Sequence, residues 1–170
     1  MTRAISIFLA SAFVFGCSSL DPVAVSSSDV GIEEGLIFSS DFQAVVAATK
    51  DSFKEKKWKL LYEGETLPDK NYSHFSNMSH NPFNPSEAAN YDQIAIDMVL
   101  EPGVAPSYYL QAKTPTSAFS YGAELFVVVY EGESGGSAIR ISASSGQALE
   151  KKKLGTYIEE LAGSIQSRAN

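Results

Sequence analysis

The sequence predicts an α+β domain, a mainly antiparallel sheet of about five strands with an N-terminal and a C-terminal helix packed on it. Two observations carry this. Stretches near 39–57 and 150–167 repeat apolar residues at helical spacing, and the segments between them alternate apolar with polar side chains as half-buried strands do. The resulting order is helix, strand, long loop, four strands, helix.

The first helix is expected over Ser39–Lys57. Ser40 and Gln43 have the spacing of a capping box, in which each side chain satisfies a backbone N–H at the helix start. Phe42, Val45, Val46, Thr49 and Phe53 share one side, and Lys54, Lys56 and Lys57 fall in the last turn, where cations suit the helix dipole. Trp58, Leu60 and Tyr62 alternate with Lys59, Leu61 and Glu63 as a strand. After an irregular stretch, Ile94, Ile96, Met98 and Leu100 alternate as a second strand, closed by the turn Glu101-Pro102-Gly103. Tyr108, Leu110 and Ala112 mark a third strand. The fourth is expected over 118–131, apolar on both sides through Leu125, Val127 and Val129 against Phe126, Val128 and Tyr130, which suits a central position. Gly132-Glu133-Ser134-Gly135-Gly136 reads as a hairpin loop leading to a fifth strand with Ile139, Ile141 and Ala143. Leu154, Tyr157, Ile158, Leu161 and Ile165 define the closing helix. Lys151 to Lys153 oppose the dipole there, so its start is expected nearer Leu154.

The N-terminus has a different character. Arg3 precedes an uncharged apolar run from Ala4 to Phe15. That run is short of the roughly 20 residues a spanning helix needs and suits the core of a secretory signal peptide. It ends in Val14-Phe15-Gly16-Cys17, which resembles the lipobox of bacterial lipoprotein precursors. Val14 and Gly16 match that pattern, and Phe15 departs from it. The resemblance implies cleavage before Cys17 and lipid on its sulfur, a firm membrane anchor once more than one acyl chain is attached. Ser18 in place of aspartate implies outer-membrane sorting. Three parts are therefore expected: a signal peptide over 1–16, a flexible lipidated tether over 17–35 rich in Ser, Asp, Glu and Gly, and a single domain over 36–170. In outline the element order is similar to the helix-grip domains of some outer-membrane assembly lipoproteins.

Loss of residues 1–16 removes Arg3 alone among charged residues, so a net charge of −7 becomes −8. An acidic chain has no bulk attraction for phosphate backbones, and no nucleic-acid partner is expected. The lysine clusters 54–59 and 151–153 read as solvated faces or helix ends. Cys17 is the one cysteine, so no disulfide is expected.

Chemistry-bearing motifs are weak. Residues 132–136 match the spacing of a hydrolase nucleophile elbow around Ser134, but that motif needs a helix after it and a histidine later in the chain. His74 and His80 both come earlier and lack metal-ligand spacing, so no catalytic residue, metal or cofactor is expected. The stretch 64–91 is longer than ordinary loops and rich in aromatics, which makes Tyr72, Phe75, Met78 and Phe83 the candidate partner or ligand contacts. The expectation is a membrane-anchored, non-enzymatic envelope lipoprotein that binds another envelope protein or serves assembly. The alternative is a periplasmic carrier or sensor of an apolar ligand such as a lipid, with Tyr108, Tyr109, Phe119, Tyr121 and Phe126 as lining.

Overall fold

Asp41 starts the first helix. Its carboxylate accepts a 2.8 Å hydrogen bond from the Ala44 N–H, and helix α1 runs from Phe42 to Glu55. The cap expected at Ser40 therefore lies one residue later, and the Ser40 hydroxyl instead donates to the Ala169 carbonyl at the end of the chain's last helix. Val45, Val46, Ala48, Thr49, Ser52 and Phe53 form the buried face of α1. The helix stops in a Schellman turn: Lys57 N–H donates to Lys54 C=O at 3.1 Å and Trp58 N–H to Phe53 C=O at 2.8 Å, with Lys57 at φ 57°.

The computed structural model describes residues 23–32, 36–67, 94–116, 122–132, 135–145 and 151–169. In chain order the strands are β1 (Val23–Ser26), β2 (Leu36–Phe38), β3 (Lys59–Gly64), β4 (Tyr108–Lys113), β5 (Glu124–Glu131) and β6 (Ser137–Ser145). Helix α2 spans Lys151–Ala169, so the chain adopts helix a turn before Leu154. The sheet is antiparallel throughout, in the order β1-β6-β5-β4-β3, and β2 also pairs with β6. The α+β class and the sheet with packed helices follow the sequence expectation.

Both helices cover one face of the sheet. Leu110, Ala112, Leu125, Val127, Val129, Ile139, Ile141 and Ala143 meet Val45, Phe53, Leu154, Ile158, Leu161 and Ile165 in the main core. Trp58 packs edge-on against Tyr157, with ring centroids 5.8 Å apart, and Ser52 and Ser164 share a 2.9 Å hydroxyl contact between the helices. As expected, β5 is central and buried on both sides.

Two expectations need correction. Residues 94–97 form a helical turn, not a strand. Both periods fit this apolar run, but the side chains that reach the interior are Ala95 and Val99, one helical turn apart, while Ile94 stays exposed. Met98 N–H donates to Ile94 C=O at 3.0 Å, as in a helix. The tether expected over 17–35 also gives way to folded chain at Val23. Val23 to Ser26 pair with Ser145 to Ser142, while Leu36 to Phe38 pair with Ile139 to Ser137, so β1 and β2 share one edge of β6. The serine-rich composition hides this strand because only Val23 and Val25 face the core. Between them, Asp29 accepts from the Ser26 N–H and hydroxyl, each at 2.8 Å, and Val30 and Ile32 pack on the main core.

Candidate functional site

Strand alternation gives the sheet a second face, away from the helices, with side chains in register across it. At the end where β6 finishes, one row reads Lys59, Lys113, Glu124, Ser144 and Ala24. The next holds Tyr62, Gln111, Phe126, Ser142 and Ser26. Tyr109, Val128 and Arg140 follow, then Tyr130, Ala138 and Ile37 beside the β5–β6 hairpin. The face thus grades from polar to apolar along the strands.

The middle of the polar row is buried. Glu124 is 0 % exposed, and the Gln111 side-chain amide donates to its Oε2 at 2.5 Å. Lys113, Ser142 and Ser144 are buried beside it. A carboxylate at such depth is held by hydrogen bonds and charge partners, because a bare one would be too costly.

The middle rows are crossed by residues 94–101. The Ser142 hydroxyl donates to Ala95 C=O at 2.5 Å. Tyr130 Oη donates to Val99 C=O and accepts from the Glu101 N–H, both at 2.9 Å. Arg140 closes the strap with a 3.1 Å ion pair to Glu101. The void beside it, among Tyr62, Ile96, Val99, Tyr109 and Phe126, measures about 10 Å³, close to the room for one water. Burial raises the pKa of Tyr130 and of Tyr109 above the ordinary tyrosine value.

Beyond the strap the last row stays open. Ile37, Ala138 and Tyr130 form a trough of about 210 Å³ whose rim is Glu131, Gly132, Gly136 and Ser137. Ile37 is 73 % exposed. Its strand bonds β6 on one side, and among the described residues no strand pairs with its other side. The hairpin holds the trough's shape: Gly132 N–H donates to Gly136 C=O at 2.7 Å, and Gly135 takes φ 83°. At Gly136 a methyl group would lie 2.8 Å from the Phe38 carbonyl, so glycine there lets β2 approach. The same geometry places strands on both sides of residues 132–136, as a hairpin requires and a nucleophile elbow forbids.

The chain matches no family model, no curated protein and no solved structure.

The residues singled out in the sequence are placed unevenly. Cys17, Tyr72, Phe75, Met78, Phe83, His74, His80, Ser134, Phe119 and Tyr121 lie outside the described residues. Tyr108 faces the helices, edge-on to Phe42 at 5.8 Å, whereas Tyr109 and Phe126 face the other way, so these three do not line one cavity. Among the described residues, no His, Cys, Asp and Glu group is placed to hold a metal, and no helix is long and apolar enough to cross a membrane. The trough residues escaped sequence reasoning, although Leu36-Ile37-Phe38 carried a signal. A strand through three apolar residues must turn the middle one away from the others.

Proposed function

We propose that this chain is a lipid-anchored, non-enzymatic protein of the bacterial envelope that binds another envelope protein through the trough at Ile37. Anchoring through Cys17, with the outer membrane as destination, rests on the lipobox-like Val14-Phe15-Gly16-Cys17 and on Ser18. The observation that carries the binding reading is Ile37 itself, an exposed isoleucine beside an open strand edge and an apolar trough. Exposed apolar edges are templates for pairing unless they are blocked or used. The occupant that fits is an extended segment of a partner protein, laid along β2, with an apolar residue beside a lysine or arginine. The apolar side chain fills the trough. The cation answers Glu131, whose exposed carboxylate has no ion-pair partner among the described residues.

The carrier reading has less support. The trough is smaller than the roughly 300–1,000 Å³ that drug-sized ligands occupy, and the void beneath the strap is far smaller still. A photo-crosslinking amino acid at position 37 of the native lipoprotein tests the proposal. One discrete adduct is expected there and none from position 159 on α2. The adduct should vanish when Ala138→Arg fills the trough, with the melting temperature held within a few degrees. An adduct that persists, or that position 159 also yields, sinks the trough as the contact.

A further inference from the structure

Lys54, Lys57 and Lys59 share one end of the fold with Lys153, which is remote from them in sequence. Lys59 begins β3 and stands opposite Lys113, which stands opposite Glu124 in the row that reaches Ser144. Val23, the first strand residue, pairs with Ser145 at that same end. Helix α1 delivers Lys54 and Lys57 there through its C-terminal turn. Tyr157 of helix α2 touches Trp58, between Lys57 and Lys59, and Lys153 stands about one helical turn before it.

Lys54, Lys57, Lys59 and Lys153 are exposed. Lys54, Lys57 and Lys59 make no ion pair among the described residues. Three acids near them are already engaged: Glu55 bonds Arg168 at 2.6 Å, Glu160 bonds Lys56 at 3.2 Å, and Glu124 is buried against Gln111. An acidic chain therefore gathers three exposed lysines without a described ion pair, Lys54, Lys57 and Lys59, at one end.

A second observation says what that end meets. Five residues lie between Cys17 and Val23, and the six residue steps, fully extended, reach about 22 Å at most. From β1 to β3 the sheet crosses four strand spacings, or about 19 Å. An anchor at Cys17 thus keeps the whole basic end within reach of the bilayer.

We infer that Lys54, Lys57 and Lys59, with Lys153 beside them, bind the anionic phospholipid headgroups of the leaflet that carries the anchor, and so stand the domain on its basic end. This inference rests on the anchoring reading and adds an orientation to it. Each lysine near an anionic surface contributes about a fivefold preference, so three give a bias on the order of 100-fold. The Ile37 trough then lies about 24 Å further out, the rise of β6 from Ser145 to Ala138.

Trp58, the one tryptophan, sits within the patch and reports on it. The lipidated protein is reconstituted into vesicles carrying a dansyl-headgroup lipid, of phosphatidylcholine alone or mixed equally with phosphatidylglycerol. Energy transfer from Trp58 should rise on the anionic vesicles. It should return to the neutral value in ~1 M salt, where the Debye length is about 3 Å. It should also return in the K54Q/K57Q/K59Q variant, checked for unchanged circular dichroism, and K54R/K57R/K59R should retain the rise. Equal transfer on both vesicle types, with the protein floating on each, overturns the orientation and leaves the anchor standing. Protein that fails to float with either overturns both.

Discussion

Tyr130 and Val99 are joined by a 2.9 Å hydrogen bond from the phenol to the backbone carbonyl, and this contact fastens the 94–101 strap to the central strand. The same oxygen accepts from Glu101 N–H, so Tyr130→Phe removes two bonds and leaves a buried carbonyl without its donor. The expected loss is about 1–3 kcal/mol in urea denaturation. Tyr130 also sets an alkaline limit. Burial, the largest influence, holds its folded pKa above the ordinary 10.0, so the phenol's contribution is complete below that pH. As pH rises from there through the folded pKa, the unfolded chain loses the proton first and stability falls. Tyr109 acts in the same sense. Tyr130→Phe should therefore flatten the decline above pH 10, and a variant as steep as the parent would show that Tyr130 is not responsible.

The Gln111 amide donates a hydrogen bond to the Glu124 carboxylate, which is sealed from water. Replacing it with leucine keeps the volume roughly constant and removes that donor. Gln111→Leu should cost about 2–3 kcal/mol, near the upper range for a lost bond to a charged group. A double-mutant cycle with Glu124→Gln should recover a coupling of about 1 kcal/mol or more. Additive losses would mean that Gln111 contributes packing only.

Lys57 occupies the left-handed position that ends α1, where a Cβ is unfavourable. Lys57→Gly should raise stability by about 0.5–1 kcal/mol, since the relief of strain exceeds the added freedom of the unfolded chain. No gain in thermal midpoint would indicate that the lysine's stem packs on its neighbours.

The parts of the fold legible in the sequence are those where one period dominates. The helix faces at Val45–Phe53 and Leu154–Ile165, the doubly covered β5 and the hairpin at Gly132–Gly136 all have residue patterns with one physical solution. Residues 94–100 admit two, and the sheet beneath them selected the helical one by accepting Ala95 and Val99. Strand β1 was obscured because serine serves a loop and a sheet edge equally well. The buried row of Gln111, Lys113, Glu124, Ser142 and Ser144 alternates as solvent-facing residues do, and nothing local betrays that tertiary structure covers it. Ile37 is the reverse case, apolar by composition and exposed by register.

The shared edge of β6 also decides how the molecule bears load. In the proposed arrangement, tension from a lipid at Cys17 would enter the fold at Val23 and run along β1, while a partner seated at Ile37 would pull from the opposite end of the sheet. The hydrogen bonds of an antiparallel pair lie across the strands, so this pull shears them together. Tension across the sheet would instead peel them one at a time. Under such a load β1 would act as a mechanical grip, with the Ser26–Asp29 clasp behind it opposing withdrawal of the chain through the edge.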